Sequence, residues 1–289
     1  MTSLFVNWDV SPNICKLGGI EVRWYGLLFA TAFVVSYILL KKIFNKEKVS
    51  LLYLDKLAIY IFVGVLVGAR LGHCLFYEFG YYNHHIIEMI FPIKHTMDGW
   101  RFVGYQGLAS HGGAIGILLA LWLYGKNTKI PYMWILDRLV ITVCFAGAAI
   151  RIGNLFNSEI YGIETSLPWG FIFLRDNQTI PHHPTQIYEA LSYIIIGFIL
   201  YYLLIKKKEH LHQGFIFGLF LILLFSMRFL IEFAKQEQEA WEQIMVLNMG
   251  QILSIPFIIA GIILIIISLN KNIGRLLDTK ILINNNKKQ

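Results

Sequence analysis

LVITVCFAGAAIRIGNLFNSEIYG, Leu139 to Gly162, decides how this chain reads. The first half, Leu139–Ile150, carries no charge. Arg151 closes that apolar run, and Asn154, Asn157 and Glu159 follow it, interspersed with Gly153 and Gly162. Glycine lets another backbone approach closely. A charge at the end of a membrane span is costly unless it has a partner or a ligand, so Arg151 is a functional-site candidate by default.

Working outward, the remaining residues have the same character. The chain is 289 residues long, 56% hydrophobic and only 15% charged, whereas soluble domains are about a quarter charged. A run of roughly 20 apolar residues crosses a bilayer core. Seven such runs stand near 20–40, 56–77, 105–125, 134–152, 184–205, 213–233 and 248–269. The third is weakest at its start, where Gln106, Ser110 and His111 crowd it. The expected fold is an all-α polytopic membrane protein with about seven transmembrane helices. Residues 1–270 would form one integral-membrane catalytic domain, with long loops at 78–104 and 153–183 and a basic tail at 271–289.

The net charge of +7 is a topology signal, not a sign of nucleic acid. Lys41, Lys42, Lys46 and Lys48 follow the first run, and Lys126 and Lys129 the third. Lys206, Lys207 and Lys208 follow the fifth, and Lys271, Arg275, Lys280, Lys287 and Lys288 the seventh. Basic residues mark cytoplasmic loops, so the N-terminus is expected outside and the C-terminus in the cytoplasm. The N-terminus lacks a basic region followed by a short apolar core, so no cleavable signal peptide is expected. Cys15, Cys74 and Cys144 have no metal or redox spacing.

On this topology the polar residues of the spans sort to one depth, the outer side. Arg23, Trp24 and Tyr25 open the first span; Arg70, His73 and Tyr77 lie late in the second; His111 opens the third and Arg151 closes the fourth. His183 and Tyr188 open the fifth, Arg228 and Glu232 end the sixth, and Asn248 and Gln251 begin the seventh. Arg70, Arg151 and Arg228, with His111, Asn154, Gln186 and Gln251, make a cationic, hydrogen-bonding set. Arginine's planar fork grips phosphate oxygens in pairs, so the set reads as a phospholipid headgroup site. An ion pair between Arg228 and Glu232 at i,i+4 is the plainer alternative for that arginine, but it leaves Arg70 and Arg151 unexplained. Glu159 can pair with Arg151 and orient it.

His111 lies in the run SHGG, where Gly112 and Gly113 leave it approachable. Its ordinary pKa of about 6.5 suits a general base. His84, His85, His95, His182, His210 and His212 show no metal-ligand spacing, so no metal is expected. Tyr25 and Tyr188 can be either site residues or interface aromatics.

RWYGLLF (23–29), GARLGHCLFY, SHGGAIG, RIGNLFNSEIYG, HPTQIYE, RFLIEF and MGQILSIP (249–256) occur in the order found in one family. The chain resembles bacterial prolipoprotein diacylglyceryl transferase over most of its length. Two positions depart from the family pattern: Ile150 replaces a glycine before the signature arginine, and Lys235 stands where arginine is common. The resemblance implies transfer of the diacylglyceryl group of phosphatidylglycerol to the lipobox cysteine of a prolipoprotein, at the outer face of the bacterial inner membrane. A thioether forms and glycerol 1-phosphate leaves. It further implies His111 as base, and Arg151 and Arg228 as phosphate-holding catalytic residues. Asn154, Glu159, Tyr25, Arg70 and Gln251 would line the headgroup pocket, supported by Glu232, Gly112, Gly113, Tyr188 and Asn157. The partners would be phosphatidylglycerol, the prolipoprotein signal peptide and the bilayer, with no metal or organic cofactor. Two rivals stand beside this reading. A transporter or flippase would carry polar residues through to the cytoplasmic side and often show repeated halves. A lipid-binding receptor would need the arginines but not His111.

Overall fold

The computed structural model describes residues 5–17, 20–91, 93–96, 99–102, 107–206, 211–236 and 246–270. Lys207, Lys208, His210, Gln106, the basic tail and Gly18–Gly19 therefore lie outside the described residues. Among the described residues the chain forms two compact units, one of Met1–Ile43 with Leu136–Gln289 and one of Phe44–Ile135.

Both units are predominantly helical. The long helices are α1 (Trp24–Lys46), α2 (Leu51–Phe76), α5 (Ser110–Thr128), α6 (Tyr132–Phe156), α7 (Thr185–Lys206), α8 (Phe215–Glu232) and α9 (Met249–Leu269). Two short helices, α3 (Phe79–Tyr82) and α4 (Ile86–Ile90), follow α2. Among the described residues, six helices are long and apolar enough to cross a membrane. The 19-residue α5 is not one of them. The polar crowding seen at the start of the third run is part of the reason, since the helix begins only at Ser110.

Among the described residues, three two-stranded sheets accompany the expected helices. β1 (Val6–Trp8) pairs in parallel with β6 (Phe171–Phe173), β2 (Asn13–Leu17) antiparallel with β3 (Ile20–Arg23), and β4 (Ile93–Thr96) antiparallel with β5 (Gly99–Phe102). The second pair corrects the start of the first span. Ile20–Arg23 is drawn into a ribbon by its partner strand, so the helix starts at Trp24 and runs on to Lys46. Arg23 is thus a strand residue. At the other end of the bundle's fourth run, α6 continues to Phe156, which makes Asn154 helical.

In the unit spanning Phe44–Ile135, α2 and α5 pack backbone to backbone. Gly64, Gly68 and Gly72 recur every fourth residue on α2 and meet Gly112 and Gly116 of α5. A Cβ on Gly68 would stand 2.4 Å from the Gly112 carbonyl oxygen, and one on Gly116 2.0 Å from that of Gly64. Lipid tails give two helices no hydrophobic reason to associate, so close van der Waals contact through small residues must do it. Gly112 therefore serves packing; Gly113 has ordinary clearance, with Ala69 Cβ at 3.6 Å from a built Cβ.

In the other unit, Val140, Ile141 and Cys144 of α6 form a core with Ile196, Leu200 and Leu204 of α7 and Ile216, Phe220 and Leu221 of α8. Helix α8 starts behind Gly214, in the left-handed region at φ 89°, which has no side chain to cap the helix. The buried Asp137 carboxylate supplies that function from α6, accepting from Gly214 N and Phe217 N, both at 2.8 Å. An anion at a helix N-terminus satisfies otherwise orphaned amides and the helix dipole together. Helices α8 and α9 run antiparallel, with Phe225 stacked on Phe257 and the Glu232 carboxyl packed on Gly250.

Candidate active site

The segment after α6 is tightly determined. Ser158 and Ile160 both take left-handed backbone, at φ 54° and 59°. For a β-branched residue such as Ile160 this conformation is a genuine outlier, sustained only where surrounding bonds over-determine it, and such strain concentrates at functional sites. Those bonds are present: Glu159 N donates to Asn154 O, Gln186 Nε2 to Glu159 O at 2.7 Å, Thr185 Oγ1 to Ile160 O, and Gly162 N to His183 O. Trp8 fastens the same corner, its Nε1 donating to Leu155 O at 3.0 Å.

Arg151 lies one turn before this segment and meets Glu189 and Asn154 directly, with the Tyr193 hydroxyl also in side-chain hydrogen-bonding reach. Its Nε is 2.7 Å from Glu189 Oε2. Its Nη1 donates to Asn154 Oδ1 at 3.4 Å, and Asn154 Nδ2 donates onward to Glu159 Oε1 at 2.7 Å. Asn157 Nδ2 reaches the same Glu159 oxygen at 3.1 Å. Glu159 thus orients Arg151 through Asn154, not by the direct pairing the sequence suggested. Tyr25 lies flat against α6, where a Cβ on Gly153 would come within 2.7 Å of its ring.

Glu189 is the residue sequence reading left without a role, though HPTQIYE ends on it. It is 1% exposed and stands one helical turn beyond Gln186. Its second oxygen, Oε1, is 2.9 Å from Lys235 Nζ, and the same ammonium is 3.6 Å from Glu232 Oε2. The plainer alternative for Arg228, an i,i+4 pair with Glu232, is not formed; Glu232 pairs at i,i+3 with Lys235 instead. Arg228 makes no hydrogen bond or ion pair among the described residues. A guanidinium in an apolar helix without a carboxylate is a ready anion site.

Gln251 has two duties. Its backbone N–H and side-chain Oε1 form a reciprocal cap with Asn248, at 3.0 and 3.2 Å. This leaves its buried Nε2 without a hydrogen-bond partner among the described residues, a donor available to a ligand. Tyr188 Oη accepts from Trp169 Nε1 at 2.9 Å and lies within hydrogen-bonding distance, 3.1 Å, of His183 Nδ1. Burial moves His183 below its ordinary pKa. Elsewhere in the loop, burial and a hydrogen bond to Asp176 push the Tyr161 hydroxyl up to about 12.

Arg70 and His111 belong to the unit of Phe44–Ile135. Arg70 is buried and its fork is committed: Nε donates to Met89 O at 3.2 Å, and Nη2 to Glu88 O at 2.6 Å and Tyr82 Oη at 3.2 Å. Its guanidinium also sits 4.8 Å from the Tyr82 ring centre. It fastens the α3–α4 segment to α2. His111 lies exposed in the first turn of α5.

Comparison with known proteins gives this arrangement its context. The family model described as prolipoprotein diacylglyceryl transferase matches residues 12–267. A phosphatidylglycerol–prolipoprotein diacylglyceryl transferase of Bacteroides fragilis is 45% identical, over 90% of this chain and 94% of its own. Those of Tolumonas auensis and Porphyromonas gingivalis are each 44% identical, the first over 90% of this chain and 96% of its own, the second over 91% and 94%. The chain belongs to the prolipoprotein diacylglyceryl transferase family.

Proposed function

We propose that this protein transfers the diacylglyceryl group of phosphatidylglycerol to the lipobox cysteine of a prolipoprotein, forming a thioether and releasing glycerol 1-phosphate. One observation carries the site assignment: Arg151 is oriented by Glu189 and Asn154, while Arg228 in the same unit has no carboxylate partner among the described residues. The reaction displaces a phosphate group from an sp³ carbon by sulfur. The substrate thiol loses its proton, the new C–S bond forms, and the C–O bond to phosphate breaks. The leaving group gains a second negative charge as it departs. Arg151 and Arg228 hold that phosphate and stabilise the developing dianion, the type of electrostatic aid whose removal costs about 3–4 kcal/mol of barrier. Asn154 and Glu159 keep Arg151 in place, with Asn157 behind Glu159. Gln251 Nε2 donates to the headgroup, and Tyr25, packed on Gly153, forms a wall of the pocket beside Arg151.

A free thiol of pKa about 8.5 attacks as thiolate, so a base is needed. His111 takes this role on the strength of its SHGG sequence. The chain is read with seven spans, its N-terminus outside and the site at the outer face of the bacterial inner membrane. The alternation of basic residues supports that orientation.

The test is transfer in vitro, with purified protein, phosphatidylglycerol and a lipobox peptide followed by mass spectrometry. A diacylglyceryl mass on the peptide cysteine with released glycerol phosphate is the expected result. No adduct from folded protein that still binds phosphatidylglycerol would turn the reading to a lipid transporter or receptor.

A further inference from the structure

Glu189 divides its two oxygens between two cations. Oε2 is 2.7 Å from Arg151 Nε and Oε1 is 2.9 Å from Lys235 Nζ. All the participants except Arg151 are almost wholly enclosed: Glu189 is 1% exposed, Lys235 5% and Glu232 6%. With both its oxygens free, a carboxylate closes on a guanidinium as a two-pronged ion pair. Lys235 prevents that closure by occupying Oε1. Arg151 is therefore gripped at Nε alone by carboxylate, with Nη1 on the neutral Asn154 amide. Among the described residues the rest of its fork meets no carboxylate, only the neutral Tyr193 hydroxyl.

We propose that Lys235 and Glu189 are a positioning pair for Arg151: Lys235 holds one oxygen of Glu189, so that the carboxylate aims the Arg151 fork without consuming it, and the fork remains open to the lipid phosphate. The identity of the anion rests on the transferase reading; the pair's action on Arg151 does not. Lys235 is then a counter-ion to Glu189 and Glu232, with its own charge already spent, and the anion is met by arginine. The chemistry agrees, since an ammonium is a compact point charge well suited to bridging two carboxylates, whereas the fork suits phosphate.

The inference predicts a specific non-additivity. In Lys235→Met the freed Glu189 oxygen closes on Arg151, and phosphate must compete with it. Affinity for phosphatidylglycerol in nanodiscs falls by about tenfold, the order expected for one displaced charge contact. In Lys235→Met/Glu189→Gln no carboxylate remains to close, so most of that affinity returns. Turnover does not return, because Arg151 is no longer aimed. Glu189→Gln alone keeps lipid affinity and loses kcat. Lys235→Arg, which supplies another cation, stays within about threefold of wild type.

The experiment measures lipid affinity, kcat and thermal unfolding for these four variants beside the wild type. A double variant that binds no better than Lys235→Met would overturn the proposal and make Lys235 a direct anion ligand. So would affinity that merely follows the fraction of folded protein, which is the mark of a structural pair. If Lys235→Met does not fold, Glu189→Gln still decides, because equal losses of affinity and kcat would refute a positioning role. Lipid affinity is read without transfer, so a wild type that binds but does not transfer sinks the transferase reading alone.

Discussion

Gly162 passes so close to Ala234 that a Cβ on it would stand 2.2 Å from the Ala234 carbonyl oxygen. The contact is part of a small ladder in which Gly162 N donates to His183 O and Ile163 N to Ala234 O. It ties the segment after α6 to the turn after α8, and so brings Lys235 beside Glu189. Gly162→Ala must push these backbones apart. The expected cost is about 1–3 kcal/mol, typical of inserting volume into a packed site. Turnover should fall further than stability does, because Lys235 moves with Ala234. Thermal unfolding in detergent alongside a transfer assay checks this; an alanine variant with unchanged activity would show that the contact is soft.

Asn154 links Arg151 to Glu159 and is 5% exposed. Asn154→Ala removes the link while leaving the ion pair from Arg151 to Glu189. Turnover is expected to drop by about 10²-fold, the scale seen for losing one oriented donor or its support, with the protein still folded. Asn154→Asp should not rescue it, since a carboxylate there faces Glu159 and neutralises Arg151. Rates for both variants, normalised to folded protein, are the measurement.

Arg228 has no carboxylate to orphan among the described residues. Arg228→Ala therefore should lower kcat/KM by about 10²–10³-fold while stability changes by less than about 1 kcal/mol, unlike the breaking of a buried pair. Arg228→Lys keeps the charge but not the fork and should recover only part of the loss. An unfolded Arg228→Ala protein would mean that this side chain is structural.

His183 supplies the pH dependence. Burial lowers its pKa from the ordinary value, and Nδ1 lies 3.1 Å from Tyr188 Oη. The folded state thus binds the proton less readily than the unfolded chain. The stabilising contribution is complete above the unfolded value of about 6.5 and is lost as pH falls below it toward the folded pKa. Resistance to thermal unfolding should therefore fall on acidification from pH 7.5 to 5, and His183→Gln should flatten that dependence. An identical slope in the variant would assign the acid sensitivity elsewhere.

Much of this protein could be read along the chain. Arg151, Asn154, Asn157 and Glu159 were legible because polar residues at the end of an apolar run have few other reasons to be there, and the structure joins them in one hydrogen-bonded chain. The apolar runs likewise gave the helices, since a bilayer demands internally bonded backbone. Periodicity could not mark where Ile20–Arg23 leaves the first helix, because ribbon pairing with Asn13–Leu17 is a contact with another segment.

The role of each charge was the part left to tertiary structure. Arg70 and Arg151 look alike in sequence, each an arginine within an apolar stretch. Arg70 is consumed by the carbonyls of Glu88 and Met89, whereas Arg151 is aimed by Glu189. Glu232 pairs with Lys235 and not Arg228, and Glu189 is shared between two cations. Sequence by itself determined which residues are charged and which of them interrupt apolar runs, where a buried charge must be compensated. Only the tertiary structure decided which partner compensates which charge, because ion pairs form between atoms a few ångströms apart, and helices distant in the chain supply them.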